Sequence, residues 1–315
     1  MISKTGERYI WKRLQSPGAL ARFSAVAGVV AYLKSRGIHA AGPIPTKSGR
    51  LTCTVSHSVA NGTVGLNVGI GTDGNGKVGY LQPWLNGKHV DLAERTERLE
   101  ALSTISAMHL ATPVGEALTQ GMPSSPVEYP LPSLLAERLH RKHALLRSMW
   151  PRLIAAVPAA RPLFDIVFAG VDAALSAVSP FPELGRSVMR RCWCHRDLAP
   201  HNMLWDGHSV ALIDFDLAAP DDPLGDVAQV CNHALALGVV SGSEWMDMAH
   251  YYAESTNLSQ PERTRLWHLL RFPDTLARAV SDWAQGGFPM DFPQLQRALD
   301  CEWTRAKWTE SANGE

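Results

Sequence analysis

The sequence predicts an α+β fold, with a small sheet carrying one helix over residues 1–84 and a larger, mainly helical part over residues 85–315. Three observations predict it. Before residue 84, short runs of β-branched and aromatic residues alternate with glycine and proline breakers. From Val90 onward, apolar residues recur at helical spacing. Within that helical part, Asp206-Gly207 sits between two short apolar runs, which is the signal of a β-hairpin.

Taken in order, Tyr9-Ile10-Trp11-Lys12-Arg13-Leu14 reads as a strand, and Ser16-Pro17-Gly18 ends it. Pro17 suits the first turn of a helix over 19–36, for which Gly37 is the C-cap. Gly42-Pro43-Ile44-Pro45 is extended, because each proline disfavours helix in the residue before it. Residues 51–58 and 77–81 read as strands, and the glycine-rich stretch 62–76 as a loop or loose hairpin. Pro83 and Gly87 punctuate the boundary between the two parts. Leu92, Leu99, Leu102, Ile105, Ser106, His109 and Leu110 then mark a helix. Residues 123–132 hold four prolines and read as an exposed connection. Further helices are expected near 133–149, 163–178, 224–238, 243–256, 260–285 and 291–310.

Charge and cysteine content narrow the setting. Thirty Lys and Arg balance thirty Asp and Glu, so no bulk field favours nucleic acid or an anionic membrane as partner. The five cysteines, Cys53, Cys192, Cys194, Cys231 and Cys301, are odd in number and scattered, unlike a secreted disulfide framework. Reduced thiols in a cytoplasmic protein are expected. The apolar stretch 19–33 falls short of the ~20 residues a membrane helix needs.

The chemistry is concentrated in Cys194-His195-Arg196-Asp197-Leu198-Ala199-Pro200-His201-Asn202, followed by Met203-Leu204-Trp205, the Asp-Gly turn, Val210-Ala211-Leu212-Ile213 and Asp214-Phe215-Asp216. A hairpin at Asp206-Gly207 brings its outer ends together. Asp197 and Asn202 lie at one end and Asp214 at the other, so two carboxylates and an amide oxygen converge. Oxygen donors of this kind suit Mg²⁺, which keeps waters and shares substrate phosphates; zinc prefers nitrogen and sulfur. Asp197 is then free to orient the proton of an attacking hydroxyl, the division of labour that phosphoryl transfer needs.

His-Arg-Asp, four residues, Asn, a hairpin and Asp-Phe-x together resemble the catalytic and metal loops of kinases. Asp222-Pro223-Leu224-Gly225-Asp226-Val227-Ala228 is similar to the run that follows the metal aspartate in aminoglycoside phosphotransferases and their choline kinase-like relatives. Seven residues separate Asp214 from Asp222, too few for a protein-kinase activation segment. Ser106-Ala107-Met108-His109-Leu110 resembles a helix end that many members carry. The resemblance implies a protein-kinase-like two-lobed fold: a nucleotide-binding lobe over 1–84 and a catalytic and substrate-binding lobe over 85–315. It implies an ATP- or GTP-dependent phosphotransferase that takes Mg²⁺ and acts on a small-molecule hydroxyl. Asp197 is then the catalytic base. Asn202 and Asp214 hold the metal, and Lys12 pairs with the nucleotide phosphates. Gln82, Trp84 and their neighbours to Leu85 line the adenine, while His195 and Asp226 brace the catalytic loop. Asp216 stands where protein kinases have glycine, close to the metal.

Two parts of the kinase pattern are missing. Eleven residues precede Lys12, too few for a full glycine-rich hairpin, and the stretch 19–37 holds no Asp or Glu to pair with the lysine. The nucleotide lobe is therefore expected to be degenerate, truncated or rebuilt, and the rival expectation is a pseudokinase or nucleotide-sensing interaction protein with a degenerate lobe. Gly69-x-Gly71-x-x-Gly74 reads as a glycine-rich turn rather than a dinucleotide fingerprint. Cys192 and Cys194 read as packing residues and His201 as a loop residue, rather than as zinc ligands with His195. His109 reads as a core histidine, Asp222 and Pro223 as a helix N-cap and first residue, and Trp245, Trp267, Trp283 and Trp303 as packing residues.

Overall fold

The computed structural model describes residues 7–13, 17–45, 50, 52–60, 63–69, 77–114, 134–178, 191–286 and 292–311. Strand β1 (Tyr9–Arg13) precedes helix α1 (Pro17–Ser35) and strands β2 (Cys53–Ala60), β3 (Thr63–Gly69) and β4 (Lys77–Pro83). These strands form one antiparallel sheet in the order β1-β4-β2-β3. The stretch 62–76 needs correction: Thr63–Gly69 is a full strand, paired from Ala60↔Thr63 to Thr54↔Gly69. Alternating Val64, Leu66 and Val68 carried that signal, masked by the flanking glycines. Residues 70–74 of the glycine pattern, and the proline-rich stretch 123–132, lie outside the described residues.

Helix α1 buries Phe23, Val26, Val30 and Leu33, one face at three- and four-residue spacing. It stops because Gly37 takes φ +78°, with Gly37 N donating to Lys34 O and Ile38 N to Leu33 O, a Schellman ending. The chain that leaves it is tied to the mainly helical part: Leu212 N donates to His39 O and Ala41 N to Leu212 O, both at 2.9 Å.

Two small sheets and the helices follow. Strand β5 (Lys88–His89) joins β7 (Met203–Trp205) and β8 (Val210–Leu212), while β6 (Cys192–Cys194) pairs with β9 (Ala219–Asp221). Around them pack α2 (Arg95–Ala111), α3 (Leu135–Ala156), α4 (Phe164–Val178), α5 (Pro223–Ala236), α6 (Gly242–Ser255), α7 (Gln260–Leu270), α8 (Asp274–Gly286) and α9 (Phe292–Ser311). The single helix expected over 260–285 is two. Phe272-Pro273 breaks it, since proline removes a donor and pushes the residue before it out of the helical region. Asp222 does cap α5, accepting from Leu224 N at 3.0 Å, with Pro223 as the first helical residue. Trp245 and Trp283 are core residues, whereas Trp303 is 37% exposed. No helix among the described residues is long and apolar enough to cross a membrane.

Helices α4 and α7 meet at Gly170, where an added Cβ would run into the backbone oxygen of Arg271. A backbone oxygen at a helix end has little room to yield. Gly170→Ala is therefore expected to destabilise the fold by about 1–3 kcal/mol, the usual cost of overpacking. Urea denaturation measures it, and an unchanged midpoint would refute the close approach.

Candidate active site

The β7–β8 hairpin builds the site. Asp206 Oδ1 accepts from His208 N and Ser209 N at 2.9 and 2.8 Å, and Gly207 takes φ +104°, so the turn closes on the residues that predicted it. The ladder runs from Trp205↔Val210 to Met203↔Leu212 and extends one step further, with Ile213 N donating to Asn202 O at 3.0 Å. Asn202 therefore stands opposite Ile213, and Asp214 follows at once. Asn202 Nδ2 donates to Asp197 O at 2.8 Å and to Asp197 Oδ2 at 3.0 Å. With its amide nitrogen so engaged, Asn202 keeps its Oδ1 as an oxygen donor.

Asp214 has φ +64° and ψ +59°, left-handed backbone that Asp tolerates better than most residues. Its Oδ1 lies 2.5 Å from Lys12 Nζ, and the same ammonium is 3.3 Å from Asp216 Oδ2. Register explains the reach of the lysine. Lys12 pairs with Tyr80 across β1 and β4, so both side chains leave the same face of the sheet. Tyr80 OH donates to Asp216 Oδ1 at 2.7 Å. Burial and then the Asp216 charge raise the phenol, which keeps its proton as a donor. Tyr80 was missed by sequence reasoning; its position opposite Lys12 in the ladder was the one signal for it.

His195 and Asp226 form the support. Asp226 Oδ2 accepts from His195 N at 2.7 Å and Oδ1 from Arg196 N at 2.8 Å, which holds Arg196 at φ +69°. His195 Nε2 donates to Ile213 O at 2.8 Å, joining the loop that carries Asp197 to the far strand of the hairpin. Burial lowers the His195 pKa, so the ring is neutral. Asp226 also meets His109 Nε2 at 3.2 Å, and His109 Nδ1 meets Tyr252 OH at 2.8 Å. Burial opposes charge on both members of the pair. Their mutual hydrogen bond overrides it, raising His109 to about 9 and lowering Asp226.

The remaining residues lie apart from this centre. Gln82, two residues along β4 from Tyr80, is buried on the same face of the strand. Trp84 is exposed beyond the strand end, with the Arg8 guanidinium 4.4 Å from its ring centroid. Cys192 and Cys194 share one side of β6 with their sulfurs 3.9 Å apart, beside His109 rather than beside His195 or His201. Burial raises both thiols, which favours the protonated form over a metal-binding thiolate.

The oxygen donors suit a hard divalent cation, because Asn202 Oδ1 and the Asp214 carboxylate offer no nitrogen or sulfur. The profile of the phosphotransferase enzyme family matches residues 2–267. No curated protein sequence matches the chain. An aminoglycoside phosphotransferase from Alicyclobacillus acidocaldarius is similar in structure, with a TM-score of 0.70 at 17% identity over 98% of this chain and 86% of that one. A spectinomycin phosphotransferase solved with ADP and spectinomycin gives 0.56 at 13%, over 98% and 83%. An ethanolamine kinase of Plasmodium vivax gives 0.51 at 11%, over 96% and 77%. These likenesses show a protein-kinase-like, two-lobed α+β fold, and with a profile match over most of its length the chain belongs to the phosphotransferase enzyme family.

Proposed function

We propose that the protein transfers the terminal phosphoryl group of ATP or GTP to a hydroxyl of a small molecule. The observation that carries this reading is the meeting of Lys12 with Asp214 at the end of the hairpin that also holds Asn202 against Asp197. Residues 1–84 would form the nucleotide lobe, with Gln82 and Trp84 beside the base, and residues 85–315 the catalytic and acceptor lobe. Lys12 would leave its carboxylates to pair with nucleotide phosphates, and Asp197 would orient the acceptor hydroxyl and take up its proton. A new bond forms between the acceptor oxygen and the γ-phosphorus, and the bond from that phosphorus to the β-bridging oxygen breaks. The nucleoside diphosphate leaves with that oxygen. Asn202 and Asp214 would hold Mg²⁺, which when bound supplies charge neutralisation between phosphates. His195 and Asp226 fix the loop and do not touch the reacting atoms.

Calorimetric titration with Mg·ATP and Mg·GTP, followed by a screen of hydroxylated metabolites and antibiotics for nucleotide consumption, tests the reading. Binding of one nucleotide and acceptor-dependent consumption are expected. Lys12→Met is expected to weaken nucleotide binding by roughly 10- to 100-fold, as loss of a charged hydrogen bond does. A second reading, a nucleotide-sensing pseudokinase, is favoured by one fact: α1 holds no Asp or Glu to pair with Lys12. Nucleotide binding with no consumption across the screen would select it. No binding of either nucleotide would rule out the phosphotransferase.

A further inference from the structure

We infer that the acceptor is a small anionic hydroxyl compound, carrying a carboxylate or phosphate close to the hydroxyl that Asp197 meets. The inference rests on the phosphotransferase reading and adds the chemical class of its second substrate.

A cavity of 220 Å³ opens beside Asp197. Its charged walls come from Arg138 and Lys142 on α3, Arg196 and Asp197 on the catalytic loop, and Asp274 and Arg278 on α8. Leu135, Leu139 and Phe272 supply apolar wall, so fields inside the cavity are less screened than in open water. The volume lies below the range of drug-sized sites, ~300–1,000 Å³, and fits a metabolite of a few carbons better than a multi-ring antibiotic.

Positive charge exceeds negative at two points of this wall. Arg138 Nη1 and Arg196 Nε approach the same oxygen, Asp221 Oδ2, at 3.0 and 3.3 Å. The other oxygen, Oδ1, already accepts from Leu135 N at 3.1 Å and Asp222 N at 2.9 Å. Burial, and after it repulsion from Arg138, lowers the Arg196 pKa, as expected of two guanidiniums crowded on one anion. On the opposite side Lys142 is hydrogen-bonded to Asp274, and Arg278 Nη2 lies 3.6 Å from the same carboxylate. Elsewhere the buried arginines are matched one to one: Arg265 pairs with Asp222 and Arg305 with Glu302. Around the cavity four cations, Arg138, Lys142, Arg196 and Arg278, meet three carboxylates, Asp197, Asp221 and Asp274, so the wall keeps a net positive charge. An anion there completes both clusters, whereas a polyamine would meet like charge.

Thermal shift at fixed ionic strength tests this on the full chain. The probes are glycerate and glycerol 3-phosphate, with glycerol as the neutral control and kanamycin as the cationic one. The two acids are expected to raise the Tm at concentrations where glycerol does nothing. Arg278→Ala is expected to move their half-saturation upward about tenfold, by loss of one charged contact. Arg278 is 45% exposed, so its truncation leaves the core intact; Lys142→Gln provides a second variant with the same expectation. Tighter binding of kanamycin, no binding of either acid, or half-saturation unmoved in both variants overturns the inference. The assay reads binding without turnover. Failure of the phosphotransferase reading shows separately, as a missing response to Mg·ATP and Mg·GTP in the same preparation.

Discussion

Asp197→Ala is expected to lower kcat by roughly 10²- to 10⁴-fold, the range a positioned general base contributes. The same change should leave the fold nearly as stable as before. Asp197 is half-buried, and its carboxylate accepts one described side-chain hydrogen bond, from Asn202 Nδ2 at 3.0 Å. That nitrogen keeps its second partner, the Asp197 backbone oxygen at 2.8 Å, when the side chain is removed. The structural loss is then about one hydrogen bond, ~0.5–1.5 kcal/mol. Steady-state assays with the acceptor found by the screen, set beside calorimetric melting, separate the two effects. An unchanged kcat would assign the proton to another group, and a collapsed Tm would make Asp197 a structural residue.

The largest expected effect on stability comes from Asp226→Ala. Its carboxylate is almost wholly buried and accepts from His195 N, Arg196 N and His109 Nε2. Removal leaves two backbone donors without a partner in the core and takes the counter-charge from the His109 imidazole, which keeps only neutral partners such as Tyr252 OH; losing one member of a buried pair costs about 3–5 kcal/mol of a typical 5–15 kcal/mol. Activity should fall as well, because the left-handed turn at Arg196 that positions Asp197 loses its anchor.

The same pair sets a pH dependence whose sign follows from the two shifts. His109 is raised from 6.5 to about 9 on folding, so its contribution is complete below pH 6.5 and disappears as pH rises towards 9. Asp226 is lowered from 3.8, so its contribution is complete above that value and is lost as pH falls through the folded pKa. The wild type should therefore lose stability between pH 6.5 and 9, and Asp226→Ala should show a flatter profile there. Urea midpoints across that interval measure it. Parallel slopes in the two proteins would mean that His109 is not protonated in the native state.

Much of the centre was legible because it is local. Residues 195–216 hold a loop, a turn with a strong two-residue signal and a hairpin, so the sequence predicts that Asp197 and Asn202 come together with Asp214 at its outer ends. The support was less legible. Asp226 reaches back some thirty residues to the His195 and Arg196 amides, and only the resemblance suggested that it braces the loop. Strand β3 was hidden because glycine weakens strand propensity, while its pairing with β2 supplies the order that composition does not. The break at Phe272-Pro273 was present in the letters and lost to the helical periodicity on either side. The cationic wall was not legible at all. Arg138, Lys142 and Arg278 sit on helices, where basic side chains ordinarily face solvent, and only the packing of α3 against α8 and Asp221 gathers them around Asp274 and Asp221.

The pairing of Lys12 with Asp214 spans 202 residues of chain. On a ribosome emitting ~5–20 residues per second, Lys12 must wait roughly 10–40 s before its carboxylate partner emerges, although the strand it pairs with ends at Pro83. Until then the nascent polypeptide carries all the strands of the first sheet, but its lysine has neither Asp214 nor Asp216 to meet. Ligand-induced protection from proteolysis should therefore begin only once synthesis has passed the hairpin.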